Sequence, residues 1–198
     1  MDEGRFSTDE LNQVIENWEY IANKNNTRLI TSHSIIDLRS PVSQVINRKN
    51  IDHVFECDIY HLELNIPYKG RSIKITTSET MTPKFEYPIK NPDFSFSIYQ
   101  EDFTDRIIKM FGHDELQTED HEFDKRFLLW TDNKPGLTKF LDFKVREWLK
   151  SRSICYFELN TEKSKNKLSI FYVFNEFSTS AIQEEIDMFK YCINKINC

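Results

Sequence analysis

Only four glycines and six prolines interrupt the 198 residues of this chain. So little of either argues against a glycine-built phosphate loop, a low-complexity chain and a flexible linker between separately folding parts. The four cysteines, Cys57, Cys155, Cys192 and Cys198, have no paired C-x-x-C spacing. That leaves no zinc-ribbon or thioredoxin-type motif and points to free thiols in a reducing compartment. The longest apolar runs, residues 127–130 and 170–174, are four and five residues long, whereas a membrane helix needs about 20. The opening residues, MDEGR, do not lead into a basic and then apolar leader, so the expected location is the cytoplasm. No G-x-S-x-G or H-E-x-x-H stretch occurs, which weakens the case for an enzyme without removing it. No cofactor is expected.

Acidic residues outnumber basic ones, 32 to 26, for a formal net charge of −6. The two signs are interspersed, and a surface without a basic field gives no general attraction to a phosphate backbone, so nucleic acid is not an expected partner. What the chain has in quantity is aromatic side chains: 16 Phe, 8 Tyr and 3 Trp. These bury large areas and favour strands, which implies a packed core that includes a sheet.

The apolar periodicity gives the elements. Ser7 and Glu10 form a capping box before a helical stripe of Leu11, Val14, Ile15, Trp18, Ile21 and Ala22. Residues 29–38 read as partly extended. Phe55, Cys57 and Ile59 alternate, then Tyr60, Leu62, Leu64 and Ile66 alternate on the other parity, which predicts a bulge near Ile59. Pro67-Tyr68-Lys69-Gly70 is a turn with glycine placed for a positive φ, and Ile73, Ile75 and Thr77 form the return strand. Phe85, Tyr87 and Ile89 make a strand that Pro83 and Pro88 consign to an edge. Phe94, Phe96 and Ile98 make another, followed by a short helix over 102–111. A strand is predicted over 123–131, then a helix carrying Leu137, Phe140, Leu141, Val145, Trp148 and Leu149. Two strands, 154–159 and 168–174, precede a last helix boxed by Ser180 and Gln183. This order implies an α+β fold: a mostly antiparallel sheet of about 7–8 strands with helices on one face. The expected organisation is a single domain over residues 1–198, with a meander half to about 112 and a C-terminal βαββα half from about 113.

Chemistry concentrates in TEDHEFDKRFLLWT, residues 118–131. Carboxylates and an imidazole there can serve as ligands for a divalent ion or as a general acid and base, and His113, Asp120, His121 and Asp124 are the candidate metal ligands. Against this, no glycine lies between Gly112 and Gly136 to let oxygens fold around an ion, and no calcium-loop spacing is present. The alternative is structural: Phe123 and Phe127 enter the core, and Asp124 accepts backbone N–H bonds at a strand entrance.

The same stretch resembles a family of uncharacterised bacterial proteins with the signature G-D-x-x-F-D-x-x-F, preceded by a strand element of the form y-x-G-R-x-v. Asp120, Phe123, Asp124 and Phe127 match the first, with Glu119 in its glycine position. Tyr68, Gly70, Arg71 and Ile73 match the second. The likeness covers about residues 57–196 and implies a shared fold, with no activity to carry over.

Other clusters are weaker. His61 and Glu63 share a strand face, but the P-C-x-x-C that completes a zinc-deaminase site is missing. Lys163, Lys165 and Lys167 form a basic hairpin tip. Phe94, Phe96, Phe171, Tyr172 and Phe174 can line an apolar groove. The leading expectation is therefore a non-enzymatic module that binds a protein through a sheet face or edge, in an accessory or immunity-type role. The alternatives are a binder of an apolar small molecule or lipid, and a metal-dependent hydrolase using residues 113–124.

Overall fold

The computed structural model describes residues 8–37, 56–78, 83–100, 116–160, 166–173 and 178–196. The expected helix over 102–111 lies outside them, as do Ser7, His113, Lys163, Lys165 and Phe174. Helix α1 (Thr8–Lys24) leads into β1 (Leu29–Asp37), β2 (Glu56–Tyr68), β3 (Arg71–Ser78), β4 (Lys84–Pro88) and β5 (Phe96–Gln100). There follow α2 (His121–Arg126), β6 (Phe127–Thr131), α3 (Lys134–Phe140), α4 (Phe143–Lys150), β7 (Ser153–Asn160), β8 (Lys167–Val173) and α5 (Thr179–Ile196).

The strands form one eight-stranded sheet in the order β1-β2-β3-β4-β8-β7-β5-β6, and every neighbouring pair is antiparallel. Burial follows the two-residue strand period. Leu62, Leu64 and Ile66 of β2, Ile73 and Ile75 of β3, Phe85 and Tyr87 of β4, and Phe157 and Leu159 of β7 are buried, while the residues between them are not. The buried parity meets Trp18 and Ile21 of α1, Leu137 and Phe140 of α3, Val145 and Leu149 of α4, and Ile186, Phe189 and Ile193 of α5 in one core. This is the α+β fold with helices on one face that the pattern implied. Each buried Phe or Leu contributes about 1.5–3 kcal/mol by leaving water.

Several local expectations change. The return strand is secured by a two-residue turn in which Lys69 (φ 46°) and Gly70 (φ 74°) are both left-handed, the backbone a tight hairpin needs. No bulge occurs in β2; its register with β1 runs without a shift from Leu29↔Leu64 to Asp37↔Glu56. Among the described residues, the change of apolar parity coincides instead with the point where β2 passes its last partner in β3, His61↔Ser78, and continues with β1 as its partner. A register shift is found between Ile154 and Tyr156 on β7.

Strand β4 is internal, between β3 and β8, and not an edge. Its prolines permit this because Pro83 lies just outside the strand and Pro88 is its last residue, and the ladder resumes when Ile89 N donates to Asn166 O at 2.8 Å. The segment expected as a strand from residue 123 begins as helix α2, with the strand starting at Phe127. Phe123 and Phe127 are four apart, which is helical spacing, and their rings stack at 4.7 Å.

The single long helix expected after Asn133 is two. It breaks at Leu141, and Asp142 caps α4 by accepting from Val145 N at 2.9 Å, so with α2 ahead of β6 the C-terminal half reads αβααββα. Helix α5 starts at Thr179, and its cap is Ser178, whose hydroxyl accepts from Ala181 N at 3.2 Å. Gln183, expected to close a box with Ser180, bonds instead to Asn25 and Asp187.

Candidate functional site

The acidic stretch resolves into a capping device. Glu119 is left-handed, with φ 68°, the conformation for which glycine is usually selected. That turn delivers Asp120 to the N-cap of α2, where Oδ1 accepts from Phe123 N at 3.1 Å. Its Oδ2 accepts from Arg146 Nε at 3.2 Å and Lys150 Nζ at 3.3 Å, both on α4. The Phe123 N–H, Lys150 and Arg146 together hold the Asp120 carboxyl below its ordinary range against the opposing effect of burial. Lys150 also meets Glu147 at 2.6 Å and Glu122 at 3.4 Å, and with these partners its ammonium is raised above the ordinary lysine range.

Asp124 turns back, and its two oxygens accept from Thr118 N at 2.9 and 3.0 Å and from Thr118 Oγ1 at 2.7 Å. Each position of G-D-x-x-F-D-x-x-F thus has a physical task here: left-handed turn, helix cap, core ring, loop clasp, core ring. Asp124 does accept backbone N–H bonds, as expected, but from inside a helix and not at a strand entrance. Of the four candidate metal ligands, Asp120 and Asp124 have their oxygens engaged in this way, His121 is exposed and His113 lies outside the described residues. Among the described residues no group of three or more His, Cys, Asp or Glu side chains is placed to hold a metal ion.

The lesser clusters disperse. Glu63 pairs with Lys74 at 2.8 Å and accepts from Asn65, which lowers its pKa, while His61 is exposed beside it. Lys167 is committed to Glu86 at 2.6 Å. The aromatic residues do not share a surface. Phe96 packs on Phe140 at 4.9 Å and Phe157 at 5.3 Å, and Tyr172 stacks on Phe85 at 6.0 Å, all in the core. Phe171, one residue from Tyr172, is on the other face of β8 and half-buried.

One polar centre escaped the sequence reading. Glu185 of α5 is only 1% exposed, and its oxygens are fully used. Oε2 accepts from Trp148 Nε1 at 3.1 Å and Tyr172 OH at 2.7 Å. Oε1 accepts from Arg152 Nε at 2.7 Å and also from its Nη2. Burial, followed by the Glu185 charge, raises the Tyr172 hydroxyl well above its ordinary pKa. A second tie runs through Asp142, whose Oδ2 accepts from Tyr191 OH at 2.5 Å and Lys195 Nζ at 2.6 Å. Burial raises the Asp142 carboxyl, but Lys195, Tyr191 and the Val145 N–H outweigh it and hold the group low. The Tyr191 hydroxyl is pushed up to about 12 by its bond to that carboxylate. Cys192 is a free, fully buried thiol that burial keeps protonated. These groups lock α4 and α5 to the sheet and to each other, with acceptors and donors matched and no group left pointing at a substrate position.

The remaining feature is a sheet edge. β1 is the outermost strand, and among the described residues its outer side has no partner. It runs nine residues, Leu29–Asp37, with no Lys, Arg, Gly or Pro and a single charge at its end. Its inner side is held by the β2 ladder and by Thr27 Oγ1 donating to Asn65 O at 2.8 Å. Ile30 is 53% exposed. The opposite edge, β6, is five residues long and bracketed by helices α2 and α3.

No family model and no curated protein matches the chain, in keeping with a resemblance that brought no activity. Among solved structures, the chain is similar to the crystal structure of the mycobacterial trehalose monomycolate transport factor A, TtfA. The TM-score is 0.44, with 8% sequence identity over 93% of this chain and 92% of that one. Among the described residues no helix is long and apolar enough to cross a membrane.

Proposed function

We propose that this chain is a protein-interaction module that acts by strand addition at the outer edge of β1, without catalytic chemistry of its own. The observation that carries the reading is the character of that edge. A strand of nine residues, about 30 Å long, offers a row of backbone donors and acceptors. Isolated edges of that length are ordinarily blunted by lysine, proline, a bulge or a covering helix. This one has no lysine or proline, and its register with β2 is unbroken. A β-branched, nearly uncharged edge suits an extended partner segment, which gains main-chain hydrogen bonds and finds pockets at alternate side chains. The ionised groups with the firmest partners, Asp120, Asp142 and Glu185, serve packing, which supports a binding role over a reactive one.

The test compares the parent with Thr31→Pro, which removes a donor from the outer side of β1, and with Glu184→Lys on the exposed face of α5 as a surface control. All three are used as bait in gentle low-salt extracts and read by native mass spectrometry. A protein retained by the parent and the control but lost with Thr31→Pro supports the reading. Capture that is indifferent to Thr31→Pro refutes it.

A further inference from the structure

Three side chains that the fold itself does not call for converge on one surface. Lys69 takes the first left-handed position of the β2–β3 turn, with φ 46°, where asparagine or glycine is the usual choice and a lysine is strained. Phe143, the first residue of α4, is 70% exposed. Lys144 beside it is exposed as well. Among the described residues neither lysine has a carboxylate partner. Each ammonium lies instead over a tyrosine ring, Lys69 at 5.9 Å from Tyr68 and Lys144 at 4.4 Å from Tyr191. Backbone strain that local packing does not explain is characteristic of positions kept for function.

Helix α5 joins the two ends of this surface. Tyr68 OH donates to Asn194 at 2.8 Å, and Tyr191 lies three residues earlier on the helix. Lys190 is 5.9 Å from the Tyr68 ring and Lys195 is 5.7 Å from the Tyr191 ring, so two ammonium groups attend each tyrosine. Lys195 pairs with Asp142 at 2.6 Å, and Lys190 is 3.7 Å from Asp187. Four ammonium groups and two carboxylates leave this patch at +2, so the rest of a chain with net charge −6 carries −8. A positive, aromatic area on an otherwise acidic molecule steers an anionic partner to one place.

We infer that the surface formed by Tyr68, Lys69, Phe143, Lys144 and Tyr191 binds an acidic polypeptide segment carrying an apolar side chain that covers Phe143. The carboxylates of that segment meet Lys69 and Lys144, which have no ion pair to give up. Exposed phenylalanine and tyrosine beside them are the residue types that interface centres favour. An anionic bilayer fits less well, because so broad a surface would also approach the acidic remainder, whose repulsion reaches about 8 Å at physiological salt. A single extended segment touches the patch alone. The surface does not include β1, so it stands or falls apart from strand addition there.

The probe is a fluorescein-labelled peptide of repeated Glu-Glu-Leu, titrated with the whole chain and followed by fluorescence anisotropy. Half-saturation is expected at about 100 µM in low salt, weakening several-fold at about 200 mM salt. Lys69→Glu combined with Lys144→Glu should weaken binding by about tenfold or more, and Phe143→Ser by about threefold. Lys125→Glu, the same charge change on exposed α2, should leave it within about twofold. Far-UV circular dichroism confirms that each variant is folded. Lys69→Asn separates a binding role from a structural one, because it relieves the strained turn and removes the ammonium together. It should raise the melting temperature by about 2–4 °C while weakening the peptide. Binding that Lys69→Asn leaves unchanged overturns the inference. So does a peptide that fails to bind, or one indifferent to Lys69→Glu with Lys144→Glu. Phosphatidylglycerol vesicles that bind more tightly than the peptide, and are released by the same pair of variants, overturn it in favour of a membrane surface.

Discussion

Removing the Glu185 carboxylate is the sharpest test of how this fold is held. In Glu185→Ala, Trp148 Nε1–H loses its acceptor in the interior, and a buried donor so orphaned costs about 1–3 kcal/mol. Tyr172 OH loses a charge-assisted bond of 2.7 Å, worth about 1.5 kcal/mol. The Arg152 side chain is 29% exposed and can turn to water, so its contribution is the smallest of the three. The expected loss is about 3–5 kcal/mol, in line with other broken buried pairs. For a chain of this length that lowers the melting temperature by roughly 10 °C. Glu185→Gln keeps the shape and one acceptor oxygen and should lose about 1–2 kcal/mol. Urea denaturation followed by tryptophan fluorescence reads both, with Tyr172→Phe added to test coupling in a double-mutant cycle. A Glu185→Ala variant within about 1 kcal/mol of the parent would refute the reasoning. A Glu185→Gln variant as unstable as Glu185→Ala would show that charge, and not acceptor count, is the source.

The two buried tryptophans should respond differently to loss of the indole nitrogen. Trp18 Nε1 has no partner in the core, so Trp18→Phe should change stability by less than about 1 kcal/mol, because the removed orphan offsets the lost area. Trp148→Phe should cost about 2 kcal/mol by taking a donor from Glu185, and equal losses would count against both assignments. Glu119→Gly should stabilise the protein by about 0.5–1 kcal/mol, since glycine adopts the observed left-handed φ without strain; a loss of stability on thermal melting would contradict this.

Asp142 is held low in the folded state, so its contribution is present above the unfolded value of about 3.9 and disappears as pH falls through the lower folded value. Asp142→Asn should therefore flatten the decline in stability below about pH 4, and an unchanged acid limb would argue against the Lys195 pairing. Glu158 carries the opposite sign. Burial raises its pKa, so its charge costs stability above the folded value, and Glu158→Gln should be more stable than the parent at pH 7.

The sequence was most legible where periodicity and turn chemistry agreed. The hairpin through Lys69 and Gly70 and the alternating Leu62, Leu64 and Ile66 needed only local rules, and both hold. The errors came where distant partners decide. Pro83 and Pro88 argued for an edge, but their placement at the ends of β4 allowed β8, some 80 residues later, to pair beside it. Phe123 and Phe127 fit either a strand or a helical turn, and the Asp120 cap settled the choice. Asp142 looked like one more polar residue on a long helix until Tyr191 and Lys195 supplied the reason to break there. Glu185 had left a readable trace, three residues after Ile182 and four before Phe189 on the apolar stripe of α5. A carboxylate in such a place requires donors, and sequence alone could not name Trp148 and Tyr172. The edge of β1 was hardest to see, because a missing neighbour is a property of topology.

The central position of β8 governs how the protein can be made. It lies between β4 and β7, so when the chain is synthesised the meander and the β5–β6–β7 group remain separate until the residues from 167 onward emerge. The seam of β4 stays open for that interval, a few seconds at ordinary translation rates of about 5–20 residues per second. A chain stopped before β8 would keep two unsealed half-sheets and lack α5, whose Ile186, Phe189 and Ile193 complete the core. Such fragments are expected to aggregate, because the seam of β4 and the core under α5 stay open until β8 and α5 have both been made.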